Sequence, residues 1–138
     1  MSDEEEISEE ELHHMDFSAL VNFIEMLSLD PSATCDAMGN YNTAWEMQDD
    51  IISRAYVVDT KTIALEAPLR DAISLLSLQL QSLPEDALSL SGRMPTCHAD
   101  CLVTMGHAAW EAPRRQAVKI AEQLQPAKKR SEAYFVTR

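Results

Sequence analysis

Apolar side chains recur along this chain at intervals of three and four, the spacing that gathers one face of a helix. Leu12, Phe17, Leu20, Val21, Ile24 and Leu27 make the first such stripe. Ser8, with Glu11 three residues on, is a capping box ahead of it, and Asp30-Pro31 is a stop. The spacing therefore predicts a helix from about Ser8 to Leu29. Pro31 to Met38 fits one or two further turns, closed by Gly39 as a left-handed cap. Thr43 and Glu46 repeat the capping-box spacing and predict a helix to about Val57, with Ala44, Ile51, Ala55 and Val58 on one face and Trp45, Ile52 and Tyr56 beside them.

The link from Val57 to Ala67 is rich in β-branched residues, but no second strong strand is available to pair with it, so it reads as a loop or a helical turn. Pro68 suits the first turn of a helix carrying the cleanest stripe in the chain: Leu69, Ala72, Ile73, Leu76, Leu80 and Leu83. Leu75 and Leu78 lie off that stripe, which implies either a central helix or one whose second side meets a partner. Beyond Pro84 and the breaker-rich loop Ser91–Pro95, Thr96 is positioned to cap a helix from Cys97 to about Trp110. Pro113 opens a last helix with Ala117, Ile120, Ala121 and Leu124 inward, and Pro126 closes it. The expected architecture is all-α: an irregular bundle of four main helices plus two short ones. A disordered acidic leader (1–7) precedes a single helical domain (8–126), and a basic C-terminal tail (127–138) follows.

Composition agrees with that picture. Three Gly against seven Met leave little turn material for a strand-rich fold, and 138 residues suffice for one domain with a real core. Three cysteines cannot all pair, so a disulfide framework is not expected. The N-terminus has neither the basic nor the apolar region of a secretory signal, and no apolar run approaches the ~20 residues that cross a bilayer. A cytoplasmic protein, away from membranes, is the expectation.

Charge changes the picture most. Residues 1–53 carry fourteen acids and no Lys or Arg, whereas residues 114–138 carry two acids and seven bases; the total is −12. A chain this acidic is a poor binder of nucleic acid or anionic lipid, both of which need positive charge. The basic end has a simpler use in pairing with the acidic first helix, of the same chain or of a second copy.

The sequence lacks the Gly-rich phosphate loops, the nucleophile elbow and the helical zinc-protease motif, so catalysis is not expected, and neither is a cofactor. Cys97, Cys101 and His107, with His98 between, are the cluster that suggests metal or redox chemistry. On a helix Cys97 and Cys101 share a face, but His98 points elsewhere and His107 lies more than two turns on, so buried apolar cysteines are the simpler outcome. His13-His14 reads as an exposed pair on a solvated face. Trp45, Tyr56 and Trp110 read as core anchors, and Tyr41 stands open between core and surface. If exposed, Tyr41, Trp45, Glu46, Asp49 and Asp50 would form an aromatic-acidic patch, the composition of an interface anchor with a charged rim.

The function expected from these features is that of a non-enzymatic acidic protein-binding module. Its acidic half would cover a basic surface of a partner protein, as inhibitors, immunity proteins, antitoxins and some phage-encoded proteins do, with nucleic-acid mimicry as one form of this. Two alternatives stand beside it: a self-associating subunit, possible as a homodimer through Leu75 and Leu78, and a metal- or redox-sensing protein using Cys97 and Cys101.

Overall fold

The structure, a computed structural model, describes residues 7–137. Most of the expected leader, and Arg138, therefore lie outside the described residues. Helix α1 (Glu9–Leu27) is the axis on which much of the molecule is built. His14, Phe17, Leu20, Val21, Ile24 and Leu27 are buried along it, a continuous face at spacings of three and four. The Ser8 hydroxyl accepts the Glu11 N–H at 3.0 Å, which is half of the expected capping box.

One position in that stripe needs correction. Leu12 is 43% exposed, and the buried place near the helix start belongs to His14. The reason is geometric: His14 precedes Phe17 by three residues and shares its face, whereas Leu12 precedes it by five and points away. The expected exposed histidine pair is thus an inward pair. His13 Nδ1 lies 2.8 Å from Thr62 Oγ1, and His14 Nδ1 lies 2.7 Å from Ser131 Oγ.

Helix α2 (Pro31–Ala37) opens on Asp30, whose carboxylate accepts the Ala33 N–H at 2.9 Å. Gly39 (φ 87°) and Asn40 (φ 56°) then turn the chain through the left-handed region, and the Asn40 N–H reaches back to the Cys35 carbonyl. Helix α3 (Thr43–Arg54) continues into a 3₁₀ turn over Ala55–Asp59. Its N-cap is Asn42, not Thr43; Thr43 is buried, with its hydroxyl 3.7 Å from Cys101 Sγ, so the expected capping box does not form there.

Helix α4 (Ala67–Gln81) buries Ile73, Leu76 and Leu80 of its stripe, and Leu75 and Leu78 stay outside as their spacing requires. The helix expected from Cys97 to Trp110 is broken. Helix α5 covers His98–Met105, and after Gly106 a 3₁₀ turn at Ala108–Trp110 sets the Trp110 ring into the core. A Cβ on Gly106 would sit 2.6 Å from the Leu102 carbonyl oxygen, so the chain passes too close there for any larger residue. The Trp110 indole N–H donates to the Ala87 carbonyl at 2.9 Å.

Helix α6 (Glu111–Gln123) ends before Pro126 as expected, but the chain does not then become a tail. Helix α7 (Gln125–Thr137) begins at once, with Pro126 in its first turn, where a missing N–H costs nothing. Among the described residues there are seven α-helices and no strand. The fold is all-α, with α3, α6 and α7 packed on α1, α4 against α6, and α2 against α5. Among those residues no helix is long and apolar enough to cross a membrane.

This arrangement spends part of the charge polarity internally. The two basic helices lie on the acidic first one, with Lys128 Nζ 3.0 Å from Glu25 Oε2 and Arg114 Nε donating to the Leu29 carbonyl at 2.7 Å. Such pairs orient helices more than they stabilise them. Burial lowers the Arg114 guanidinium below its ordinary pKa, although the nearby Asp30 carboxylate opposes that shift.

Candidate protein-binding site

The start of α3 and the turn before it place two large aromatic side chains at the surface. Tyr41 is 48% exposed and Trp45 is 50% exposed. This corrects the core role expected for Trp45. The buried face of α3 is Thr43, Ala44, Met47 and Ile51, and Trp45 follows Ala44 by one residue, a rotation of about 100° that takes it off that face. Tyr56, also expected in the core, is 45% exposed, with its hydroxyl donating to the Asp16 carboxylate. Trp110 is the one of the four that lies in the core.

Asp49 is exposed one turn beyond Trp45, on the same side of α3. Glu46 is half-buried. Asp50 turns away: Arg54 Nη1 lies 2.8 Å from Asp50 Oδ1, and Arg54 Nε lies 3.9 Å from Asp16 Oδ1. The structure therefore brings Trp45 and Asp49 to one side of α3, leaves Tyr41 exposed on the turn before it, and draws Asp50 into a separate pairing.

What sequence reasoning did not foresee is how firmly this surface is backed. The Cys101 thiol, fully buried, donates to the Tyr41 carbonyl at 2.8 Å. Its thiol also neighbours that of Cys35: burial, and then Cys101 beside it, pushes the Cys35 pKa up to about 12. His98 Nδ1 lies 2.6 Å from Asn40 Oδ1 and 3.1 Å from Asp36 Oδ1, and the Asn40 amide donates to Asp36 at 3.1 Å. The turn carrying Tyr41 is thus tied to α2 and to α5 on either side. The left-handed Asn40 was the available signal, since Gly-Asn between two helical patterns marks a fixed turn.

The cysteines and histidines do not converge. Cys97 is exposed at the N-cap of α5, and Cys101 is buried beneath Tyr41. His107 accepts the Ala109 N–H at its Nδ1 and faces Asp86, 3.2 Å away, through Nε2. Among the described residues no group of three or more His, Cys, Asp or Glu is placed to hold a metal ion. Cys97, Cys101 and His107 were expected to lie on one unbroken helix; the break at Gly106 sends His107 elsewhere.

Comparison with protein-family models, with curated proteins and with solved structures finds no match for this chain.

Proposed function

We propose that this chain is a non-enzymatic protein-binding module whose Tyr41–Trp45–Asp49 surface docks on a basic region of a partner protein. The observation that carries this reading is a half-exposed Trp and a half-exposed Tyr on a braced turn and helix, with carboxylates beside them. Large aromatic residues supply much contact area while ordering few torsions, and they dominate measured interface energies. Asp49, exposed one turn beyond Trp45, supplies negative charge beside them. The net charge of −12 steers a cationic partner from a distance.

Covering a basic surface in this way is how an inhibitor or antitoxin-like protein acts, and that role belongs to the proposal. It is narrower than mimicry of nucleic acid, because Arg54 and Lys128 already occupy Asp16, Asp50 and Glu25. A cytoplasmic setting is part of the same reading, since three free cysteines suit a reducing compartment.

The test is capture from a lysate of the source cells on the immobilised chain, quantified beside the variants Trp45→Ala and Asp49→Lys. The expected result is a protein with a basic surface, depleted about tenfold or more by Trp45→Ala and released by about 1 M salt. An acidic partner, or one held equally by both variants, would overturn the reading.

A further inference from the structure

Ser32 and Asp36 stand one turn apart on α2, both exposed, while Thr34 and Cys35 between them are buried. The first residue of α5, His98, lies across the pair. Its Nε2 is 3.1 Å from Ser32 Oγ, and its Nδ1 is 3.1 Å from Asp36 Oδ1. Asn40 fixes where the protons lie. The Asn40 amide donates to Asp36 at 3.1 Å, which turns its carbonyl oxygen to His98 Nδ1, 2.6 Å away. Both neighbours of Nδ1 are therefore acceptors, so Nδ1 carries the proton. In the neutral ring Nε2 is left with its lone pair, and the Ser32 hydroxyl donates to it. Hydrogen bonds in this order, serine to histidine to carboxylate, make a hydroxyl nucleophilic. The bracing of the Tyr41 turn uses Nδ1 alone and does not need Ser32.

We propose that Ser32 is an acyl-acceptor site, whose hydroxyl takes an acyl group from an activated ester with His98 as general base and Asp36 as positioning residue. Ser32 Oγ attacks the ester carbonyl carbon while its proton passes to His98 Nε2. The bond from that carbon to the leaving oxygen then breaks. The leaving alcohol takes the proton from Nε2, and the imidazole returns to neutral. Ser32 ends as an ester, one acyl group per chain, so the site adds a covalent modification to a binding protein and implies no turnover. The exposure of Ser32 leaves it open to a donor, and the net charge of −12 favours a neutral or cationic donor over an anionic one.

The probe is p-nitrophenyl acetate, a neutral activated ester, applied to the full chain for timed intervals. Peptide mass spectrometry then reads each serine separately, and it also separates any adduct on the exposed Cys97. Ser74 and Ser91, exposed and away from His98 in sequence and in hydrogen bonding, are the internal references. Ser32 is expected to be acetylated at least about tenfold faster than either reference. Asp36 of α2 is the charged group that faces the His98 ring. The ratio of Ser32 to reference rates should fall between about pH 8 and about pH 5, as the imidazole takes up a second proton and loses its lone pair.

His98→Gln should bring Ser32 down to the reference rate and remove the pH dependence of the ratio. Asp36→Asn, at an exposed position where an unchanged melting curve is expected, should lower the ratio and keep its fall in acid. Trp45→Ala should leave the Ser32 rate as it is, so this site and the docking surface stand or fall separately. Acetylation of Ser32 at the reference rate in the native chain would overturn the proposal. So would a faster rate that neither acid nor His98→Gln reduces.

Discussion

The buried thiol of Cys101 holds the carbonyl oxygen of Tyr41 at 2.8 Å across sixty residues of sequence. One hydrogen bond thus joins a core side chain of α5 to the turn that displays an exposed aromatic ring. The same contact gives Cys101 a structural task. Cys35 lies beside it, with its pKa raised to about 12, chiefly by burial and then by Cys101.

Thiol chemistry follows from that placement. In the folded protein a small alkylating reagent should modify Cys97 rapidly and leave Cys35 and Cys101 protected until the chain unfolds. Cys101→Ala should cost about 1–3 kcal/mol in urea unfolding, because it hollows a fully buried site and leaves the partly buried Tyr41 carbonyl without its thiol donor. A chelator should leave the melting temperature of the native protein unchanged. Rapid native modification of all three thiols would count against the packing described.

His14 holds α7 to α1. Its ring stacks on Tyr134 with centroids 4.2 Å apart and meets Ser131 Oγ at 2.7 Å. His14→Ala should destabilise the protein by about 1–3 kcal/mol through the lost stacking and hydrogen bond. Amide exchange should then rise first in residues 125–137, with α4 still protected. Uniform loss of protection across all helices would show that α7 does not open separately.

Tyr56 gives the pH dependence. Its hydroxyl donates to the Asp16 carboxylate; that hydrogen bond is the largest cause, followed by burial and the Asp16 charge, of a pKa pushed up from 10.0 to about 12. A folded-state pKa raised above the unfolded one stabilises the protein fully below the unfolded value. This contribution is lost as pH rises from about 10 through about 12. Because Tyr56 is half-exposed, the effect on stability is small and ultraviolet titration reads it better. Tyr56 should form tyrosinate late, near pH 12, and Tyr56→Phe should remove that late step.

The hydrophobic pattern made the helical body legible wherever a stripe was long. Phe17 to Leu27 and Ile73 to Leu80 lie buried where their spacing puts them, and Leu75 and Leu78 lie outside. The pattern misled where one residue has two uses. Pro126 stops α6 and also starts α7, because a helix tolerates proline in its first turn. His14 is polar by type yet takes a core position that Ser131 and two aromatic rings make hospitable. Trp45 is apolar by type yet sits off the face shared by Ala44, Met47 and Ile51. Residue character favoured the core, and helical phase placed it outside.

Charge sorting along the chain was also legible, but its meaning depends on the fold. Arg54, the first base in the sequence, returns to Asp16 and Asp50, and its guanidinium lies 5.8 Å from the Phe23 ring. Lys128 returns to Glu25 over more than a hundred residues. Part of the acidic half is therefore balanced within the molecule. The part that we propose a partner reads is the Asp49 carboxylate beside the exposed Trp45.

That claim is tested most directly by ¹⁵N-indole NMR of the tryptophan-labelled chain, which carries two tryptophans. Trp110, buried and bonded to the Ala87 carbonyl, is the internal reference for Trp45. On addition of a captured basic partner, the account predicts that the Trp45 indole resonance shifts or broadens, that about 0.5 M salt reverses the change, and that Trp110 stays in place. A saturated complex in which the Trp45 resonance does not move would contradict it.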